Sequence, residues 1–525
     1  MKIFIIAIVF ASLLPELSFG QKTYTHADTL QGSITSERAW GYVQRYDVTV
    51  TQEFNSKAIV GENRITYLVT KDNHNIRMQI DLQEPLAIDR AVLNNGDHLT
   101  YSNEENVWYL KMSGQKKGTT HSVQVFYSDK VHEAIRPPCD GGWMWAKDSL
   151  GRPWMTVACQ ILGASVWYPC KDYQSDEPDK GASLTITVPD TMTAVANGRI
   201  QFTKNNGDGT ATTKWAVVNP ISNYCLIPYI GKYVNFSELY KGEKGDLTLN
   251  YWVLDYNLAK AKNYMPDKVH KMLASCEYWL GPYPFYEDGY QLIDASHSGM
   301  EHQSAVSYGN GYKSGYRGKD LLGIGWGLKF DFIILHESGH EWFGNNITTN
   351  HLADTWVHEG FTNYSETLFT EYHIGKKAGN EYNFGIRSGI ANRALIIPAY
   401  NVNAQGSRDM YPKASNMLHD IRHGLDNDVL FRSILLGLNK DFYHQTVTLK
   451  QVEEYISRHT GFNYEKVFDQ YLRNLEIPSF EYYFSNDSST VNYRHQNCVD
   501  GFNLPLNLNN EKTKERIVPS QNGNT

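Results

Sequence analysis

Cysteine is scarce in this chain: 6 residues, Cys139, Cys159, Cys170, Cys225, Cys276 and Cys498, in 525. Spread that thinly, they exclude a disulfide framework and contain no C-x-x-C metal site. An exported chain could still form disulfides, but the spacing assigns no pairing. One-signed charge is missing too. The net charge is −8, from 49 basic and 57 acidic residues, and no basic run exceeds a few residues. That excludes a nucleic-acid partner and marks no other specific one. Beyond the first twenty residues no apolar run approaches the length needed to cross a bilayer. No internal repeat is visible. What is present is apolar content of 41%, enough for real cores. The length fits two to four domains.

The first twenty residues read as a secretory signal peptide. Lys2 precedes the apolar run IFIIAIVFASLL, and Ser18 and Gly20 supply small residues before a mature start near Gln21. The expected product is exported, periplasmic or extracellular, with no stable membrane insertion. Residues 21–255 are strand-rich. YDVTVTQEF, RITYLVT, IRMQIDL, SVQVFYS and SLTITV alternate or carry β-branched runs, separated by turns such as NNGD and KGEKGD. The Gly-, Pro- and Trp-rich segment 130–170 reads as a loop reaching toward the functional site. From 256 the pattern turns helical up to 476, with Pro266 interrupting a long helical stretch. Residues 477–525 return to strand-like patterns, FEYYF and TVNYRH, and a polar tail.

The most informative stretch is HESGHEWFG, residues 336–344. On a helix, His336 and His340 lie one above the other on a single face, so both imidazoles can grip one metal ion. Eighteen residues later, inside WVHEGFTNY, comes Glu359. Two His and one Glu leave the fourth tetrahedral position open, as a catalytic zinc requires. Glu337, beside a ligand, is the natural general base. The chemistry is metal-assisted amide hydrolysis, with one zinc ion per chain. Gly339 weakens the motif helix by up to about 1 kcal/mol relative to Ala, so packing must hold it. Glu366 and Asp354 are both candidates to hold a ligand His from behind, and each could equally be an ordinary solvated acid.

With these motifs the chain resembles the aminopeptidase N family of gluzincin zinc metallopeptidases, which includes leukotriene hydrolase-like enzymes. Three further segments carry the resemblance: SGMEH at 298–302, MYPKASNML at 410–418 and VWYPCKDYQSDEPD at 166–179. VFDQYLRNLEIPSFEYYF at 467–484 is similar to the family's exit from its catalytic domain. The resemblance implies an α+β multidomain fold. It comprises an N-terminal antiparallel β saddle domain (21–255), a thermolysin-like, mainly helical catalytic domain (256–476) and a partial β-sandwich segment with a tail (477–525). It implies that Glu301 binds the substrate's free α-amine, beside Gly299 and Met300, and that Tyr411 hydrogen-bonds the oxyanion. Substrates would be peptides with a free N-terminus. The family's large helical domain would have no room here, which implies a site more open to longer peptides.

Departures from the family pattern cluster around the substrate. Ser298 stands where Gly is usual, His302 where Asn is usual, and Ala414-Ser415 replace Gly-Ala. Gln160 stands where many members carry a second amine-binding Glu, so electrostatic capture of the N-terminus is expected to be weaker. Ser298, His302 and Gln160 are expected to face the substrate. Two other readings remain at this stage. A zinc endopeptidase is the nearest, against which Glu301 speaks. A catalytically silent peptide-binding relative is the other, against which the full set of zinc-binding and catalytic side chains speaks.

Overall fold

Period-two alternation of buried residues builds the N-terminal half. In Gly41–Glu53, Tyr46, Val48 and Val50 point inward, and this strand pairs antiparallel with Ala58–Val69. The computed structural model describes residues 23–72, 77–509 and 514–523. The signal-peptide segment lies outside the described residues. An eight-stranded sheet forms the first half, ordered Arg199–Asn205, Thr210–Val217, Ala182–Pro189, Gly41–Glu53, Ala58–Val69, Thr120–Lys130, Ala87–Leu93 and His98–Leu99. Its pairings are antiparallel except the central one between Gly41–Glu53 and Ala182–Pro189, which is parallel. Two short helices, His26–Gly32 and Ser36–Ala39, precede it.

Two expectations about the first half change. The segment expected as loop contains the hairpin Gly142–Lys147 with Pro153–Ala158, part of a four-stranded sheet. Alternating Trp143, Trp145, Met155 and Val157 bury its inner face, and the chain leaves it at Gln160. The change of pattern near 255 is also not a break in the structure. Gly245–Leu254 pairs in parallel with Tyr290–Asp294, so one five-stranded sheet crosses that point. One of its two edge strands is Gly299–Met300.

The helical half packs around a large core. Its first helix, Leu258–Leu280, runs straight through Pro266 rather than breaking there. Proline in a helix interior costs about 3 kcal/mol. Burial of Ala261, Met265, Val269, Met272, Leu273 and Cys276 on one face offsets it. After Pro478 the chain forms two separate hairpins, Ser479–Phe484 with Val491–Gln496 and Leu506–Asn509 with Lys514–Ile517. Among the described residues these do not join into a sandwich.

Candidate metal centre

The helix Phe332–Gly339 starts at Asp331, whose carboxylate accepts the Ile334 N–H at 3.1 Å, and ends inside HESGH. His340, the C-cap residue, keeps helical dihedrals (φ −64°, ψ −17°), so its ring stays on the face of His336. Gly339 explains itself here. A Cβ on it would sit 3.0 Å from Ser365 Oγ and 3.1 Å from Thr362 Cγ2. Its absence lets the helix Trp356–Ile374 come close, and that helix carries Glu359 in its first turn.

Glu359 Oε2 lies 3.7 Å from His336 Nε2 and 3.4 Å from His340 Nε2. All three side chains are buried. His336 Nδ1 is 2.9 Å from Glu366 Oε1, and His340 Nδ1 is 3.1 Å from the Phe343 carbonyl. Each Nδ1 therefore carries a proton, and each Nε2 faces Glu359 as the nitrogen a metal would take in place of a proton. Glu359 Oε2 is buried without a hydrogen-bond partner. Two imidazole nitrogens and an unsatisfied carboxylate oxygen, mutually within 4.8 Å, are a donor set that fits a divalent cation such as zinc. Burial penalises the Glu359 carboxylate, but the two imidazoles outweigh it and hold its pKa well below the usual range. Burial likewise lowers His336, but Glu359 and Glu366 outweigh it and raise its pKa.

Of the two candidates to support a ligand, only Glu366 does so. Its Oε1 also accepts from Asn363 Nδ2 at 3.0 Å, and its Oε2 from the Tyr382 hydroxyl at 2.7 Å. Asp354 instead accepts from the Tyr400 hydroxyl at 2.6 Å and touches no ligand. Phe332 stacks on His336 at 5.3 Å between ring centroids.

Glu337 is buried, and burial first, then the nearby Glu301 carboxylate, raises its pKa to about 7. Gly299 covers it so closely that a Cβ would lie 2.7 Å from Glu337 Oε1. Glu301 is buried, and its Oε1 accepts from Gln160 Nε2 at 2.5 Å and from the Tyr224 hydroxyl at 3.2 Å. Gln160 Nε2 is also 3.4 Å from Glu359 Oε1. Met300 packs with Met144 and Ala158 from the hairpin. Tyr411 stands at the start of Pro412–Leu425, its ring 5.9 Å from that of His336 and tilted by 24°. Burial first, then Glu359 and Glu301, keeps its phenol protonated. Gly360 lets this helix approach, since a Cβ there would be 2.7 Å from the Ala414 Cβ.

One expected site residue is elsewhere. His302 does not face a substrate; it is fully buried, with Nδ1 2.6 Å from the Tyr229 hydroxyl and 3.2 Å from Ser307 Oγ. It lies just past the strand Gly299–Met300, and its ring is held by Tyr229 and Ser307 while Glu301 is held by Gln160 and Tyr224. Tyr224 and Asn345, which hold the side chain and the backbone carbonyl of Glu301, carried no signal in the sequence. Phe332 did: it sits four residues before His336, on the same helix face.

Residues 328–471 match the family model described as the peptidase family M1 domain. Over that segment, which holds the three candidate ligands, the chain is similar to the M1 peptidases. Endoplasmic reticulum aminopeptidase 1 of Mus musculus is 22% identical over 425 residues, covering 76% of this chain and 44% of the mouse protein. Aminopeptidase Ey of Gallus gallus is 26% identical over 225 residues, 41% of this chain and 22% of the chicken protein. The chain thus spans less than half the length of these curated relatives. Among solved structures, an M1 zinc metallopeptidase from Deinococcus radiodurans aligns with a TM-score of 0.69 at 19% identity, over 82% of this chain and 93% of that one. A mutant of the Deinococcus radiodurans protein bound to a Tyr-ser-ala substrate aligns at a TM-score of 0.68, with 19% identity, over 82% and 94% of the two chains. The β half followed by a helical half is the M1 two-domain architecture.

Proposed function

We propose that this chain is an exported zinc aminopeptidase that releases N-terminal residues from peptides. The observation that carries the reading is the closeness of Glu301 to the metal ligands: ligand atoms of Glu301, Glu337 and His340 lie within 4.8 Å of one another. A peptide's α-amine is two bonds from its first carbonyl carbon, roughly 2.5 Å. An ammonium paired with Glu301 therefore brings the first peptide bond, and no later one, to the triad. An endopeptidase would gain nothing from a buried carboxylate there. The peptide seen with the Deinococcus radiodurans mutant supports a peptide substrate.

His336, His340 and Glu359 would hold one zinc ion. Bound zinc supplies Lewis acidity, lowering the pKa of water to about 7 and polarising the carbonyl. Glu337 takes the proton from the attacking water and delivers it to the leaving amine. Tyr411, a neutral phenol, donates to the carbonyl oxygen as charge develops on it. Gln160 donates to Glu301 and leaves its own Oε1 to accept from the ammonium. A peptide and its N-acetylated twin test the reading: cleavage of the free-amine form alone is expected, and equal cleavage sinks it. Export rests on Lys2 and the apolar run behind it. No helix among the described residues is long and apolar enough to cross a membrane. N-terminal sequencing of the protein from cell fractions should find it outside the cytoplasm and starting near Gln21. Retention of residues 1–20 on a cytoplasmic protein refutes export.

A further inference from the structure

Gln160 and Glu359 belong to different halves of the molecule, yet they approach to 3.4 Å. Something must fix the seam between them. The helix His26–Gly32, closed at its start by a capping box of Thr25 and Asp28, lies across that seam. On the β side, Gln31 Nε2 donates to the Leu162 carbonyl at 3.1 Å, two residues beyond Gln160. On the helical side, the Asn403 N–H donates to the Asp28 carbonyl at 2.9 Å. Gly32 meets the same loop: a Cβ on it would lie 2.0 Å from the Val402 carbonyl carbon and 2.2 Å from Asn403 N. Backbone touches backbone there, and no other residue type allows it.

Both anchor points lead to the site. Arg38 Nη1 donates to the carbonyls of Gln31 and Ser33, each at 2.8 Å. Its Nη2 donates to Asp81 Oδ2 at 2.6 Å and to the Asp172 carbonyl at 3.3 Å. The Asp172 carboxylate accepts the N–H groups of Ala164 and Ser165, both at 3.1 Å, which closes the turn that follows Gln160. On the other side, Asn401 N donates to His351 Nε2 at 2.7 Å, and the Tyr400 hydroxyl to Asp354 at 2.6 Å. Those two acceptors sit just ahead of the Glu359 helix. Between the anchors is a cavity of about 30 Å³ lined by Gln31, Gly32, Gln160, Tyr173, His351 and Val402.

We propose that residues 26–33 are a strap that sets Gln160 against Glu301 and Glu359, with Gln31 and Gly32 as positioning residues for the substrate's amine. This rests on the reading that Glu301 and Gln160 receive that amine. A displacement of about 1 Å in a positioning group can cost up to a hundredfold, so a loosened strap acts on substrate capture.

The test uses the full-length zinc-loaded protein and two variants. Gly32→Ala wedges the strap off Val402, and Gln31→Ala removes only the bond to Leu162. The expected result is a KM for a free-amine dipeptide amide raised about tenfold in Gly32→Ala and less in Gln31→Ala, with kcat within about twofold. Zinc stoichiometry should be unchanged, and amide exchange should quicken in residues 159–165 and 400–404. Unchanged KM and exchange in both variants overturns the strap, as does a loss of thermal stability with KM unaltered. If the wild-type protein fails to cleave free-amine peptides, the proposed activity falls. The exchange measurement on 159–165 still decides the strap.

Discussion

Glu366 Oε1 lies 2.9 Å from His336 Nδ1, and this contact fixes which nitrogen of His336 is free for a metal. The same carboxylate is held by Asn363 and Tyr382, so its orientation is built into the helical core. Removing such a support costs about 10- to 100-fold in metal affinity. Glu366→Ala is expected to fall in that range by chelator competition, and Glu366→Gln, which keeps an acceptor oxygen, to lose less. Chelation should abolish hydrolysis in the wild type and zinc add-back restore it, with a lower melting temperature in the stripped protein. Unaltered zinc affinity in Glu366→Ala would remove the assigned role.

Glu337 and Gly299 form the second test. Glu337→Gln should keep its full zinc content and lose about 10²- to 10⁴-fold in kcat, the usual weight of a general base. Gly299→Ala adds a methyl 2.7 Å from Glu337 Oε1, so the carboxylate must move. We expect Gly299→Ala to lower kcat with zinc retained, measured by metal analysis beside steady-state kinetics. A Glu337→Gln protein with wild-type kcat would refute the base.

The approach of Gly360 to Ala414 carries Tyr411 into the site. Its Cβ would be 2.7 Å from the Ala414 Cβ and Met410 O is 3.3 Å away, so Gly360→Val overpacks a helix crossing. Overpacking costs about 1–3 kcal/mol. The denaturation midpoint should drop accordingly, and kcat should drop as well because the Tyr411 end of the helix shifts. A stability loss with kcat intact would separate Tyr411 from that crossing.

Glu177 gives a pH signature away from the metal. It is buried, with a long contact to Thr348 Oγ1 at 3.5 Å, and burial pushes its pKa up to about 8. An unfolded Glu titrates near about 4.3. Between those values the folded chain binds more protons than the unfolded one, so stability is full below the lower value and falls as pH rises to the upper. Glu177→Gln removes that slope. The variant should match the wild type at pH ~4 and exceed it by a few kcal/mol at pH ~9, read from urea midpoints against pH. Parallel curves for the two proteins would contradict the raised pKa.

Local spacing carries what a single turn of helix or one strand can encode. HESGH on an apolar helix already aligned His336 and His340, and the helix Trp356–Ile374 was visible from its own pattern. The strand-rich first half showed through alternation. Pro266 misled because propensity is local while the burial of Met265 and Val269 is tertiary. The sheet across residue 255 was hidden because strand pairing depends on distant partners, Leu249 with Tyr290 and Trp252 with Ile293. Similarity supplied Glu301 and Tyr411, for which neither loop nor composition offered a reason. It did not choose between Glu366, two helical turns after Glu359, and Asp354, because either could equally be a solvated acid until packing placed it.

By itself the sequence determined the donor types and their spacing, and two imidazoles and a carboxylate with an adjacent Glu are what the proposed reaction class rests on. Only the tertiary structure decided which nitrogen each histidine offers, that His302 turns away while Gln160 turns in, and that Gly299 rather than a side chain covers Glu337. The physical reason is range. Helix periodicity sets which residues share a face within a few positions. Glu301, Gln160 and Glu359 come from three separate segments, and only packing of one half against the other brings their oxygens and nitrogen within hydrogen-bonding distance.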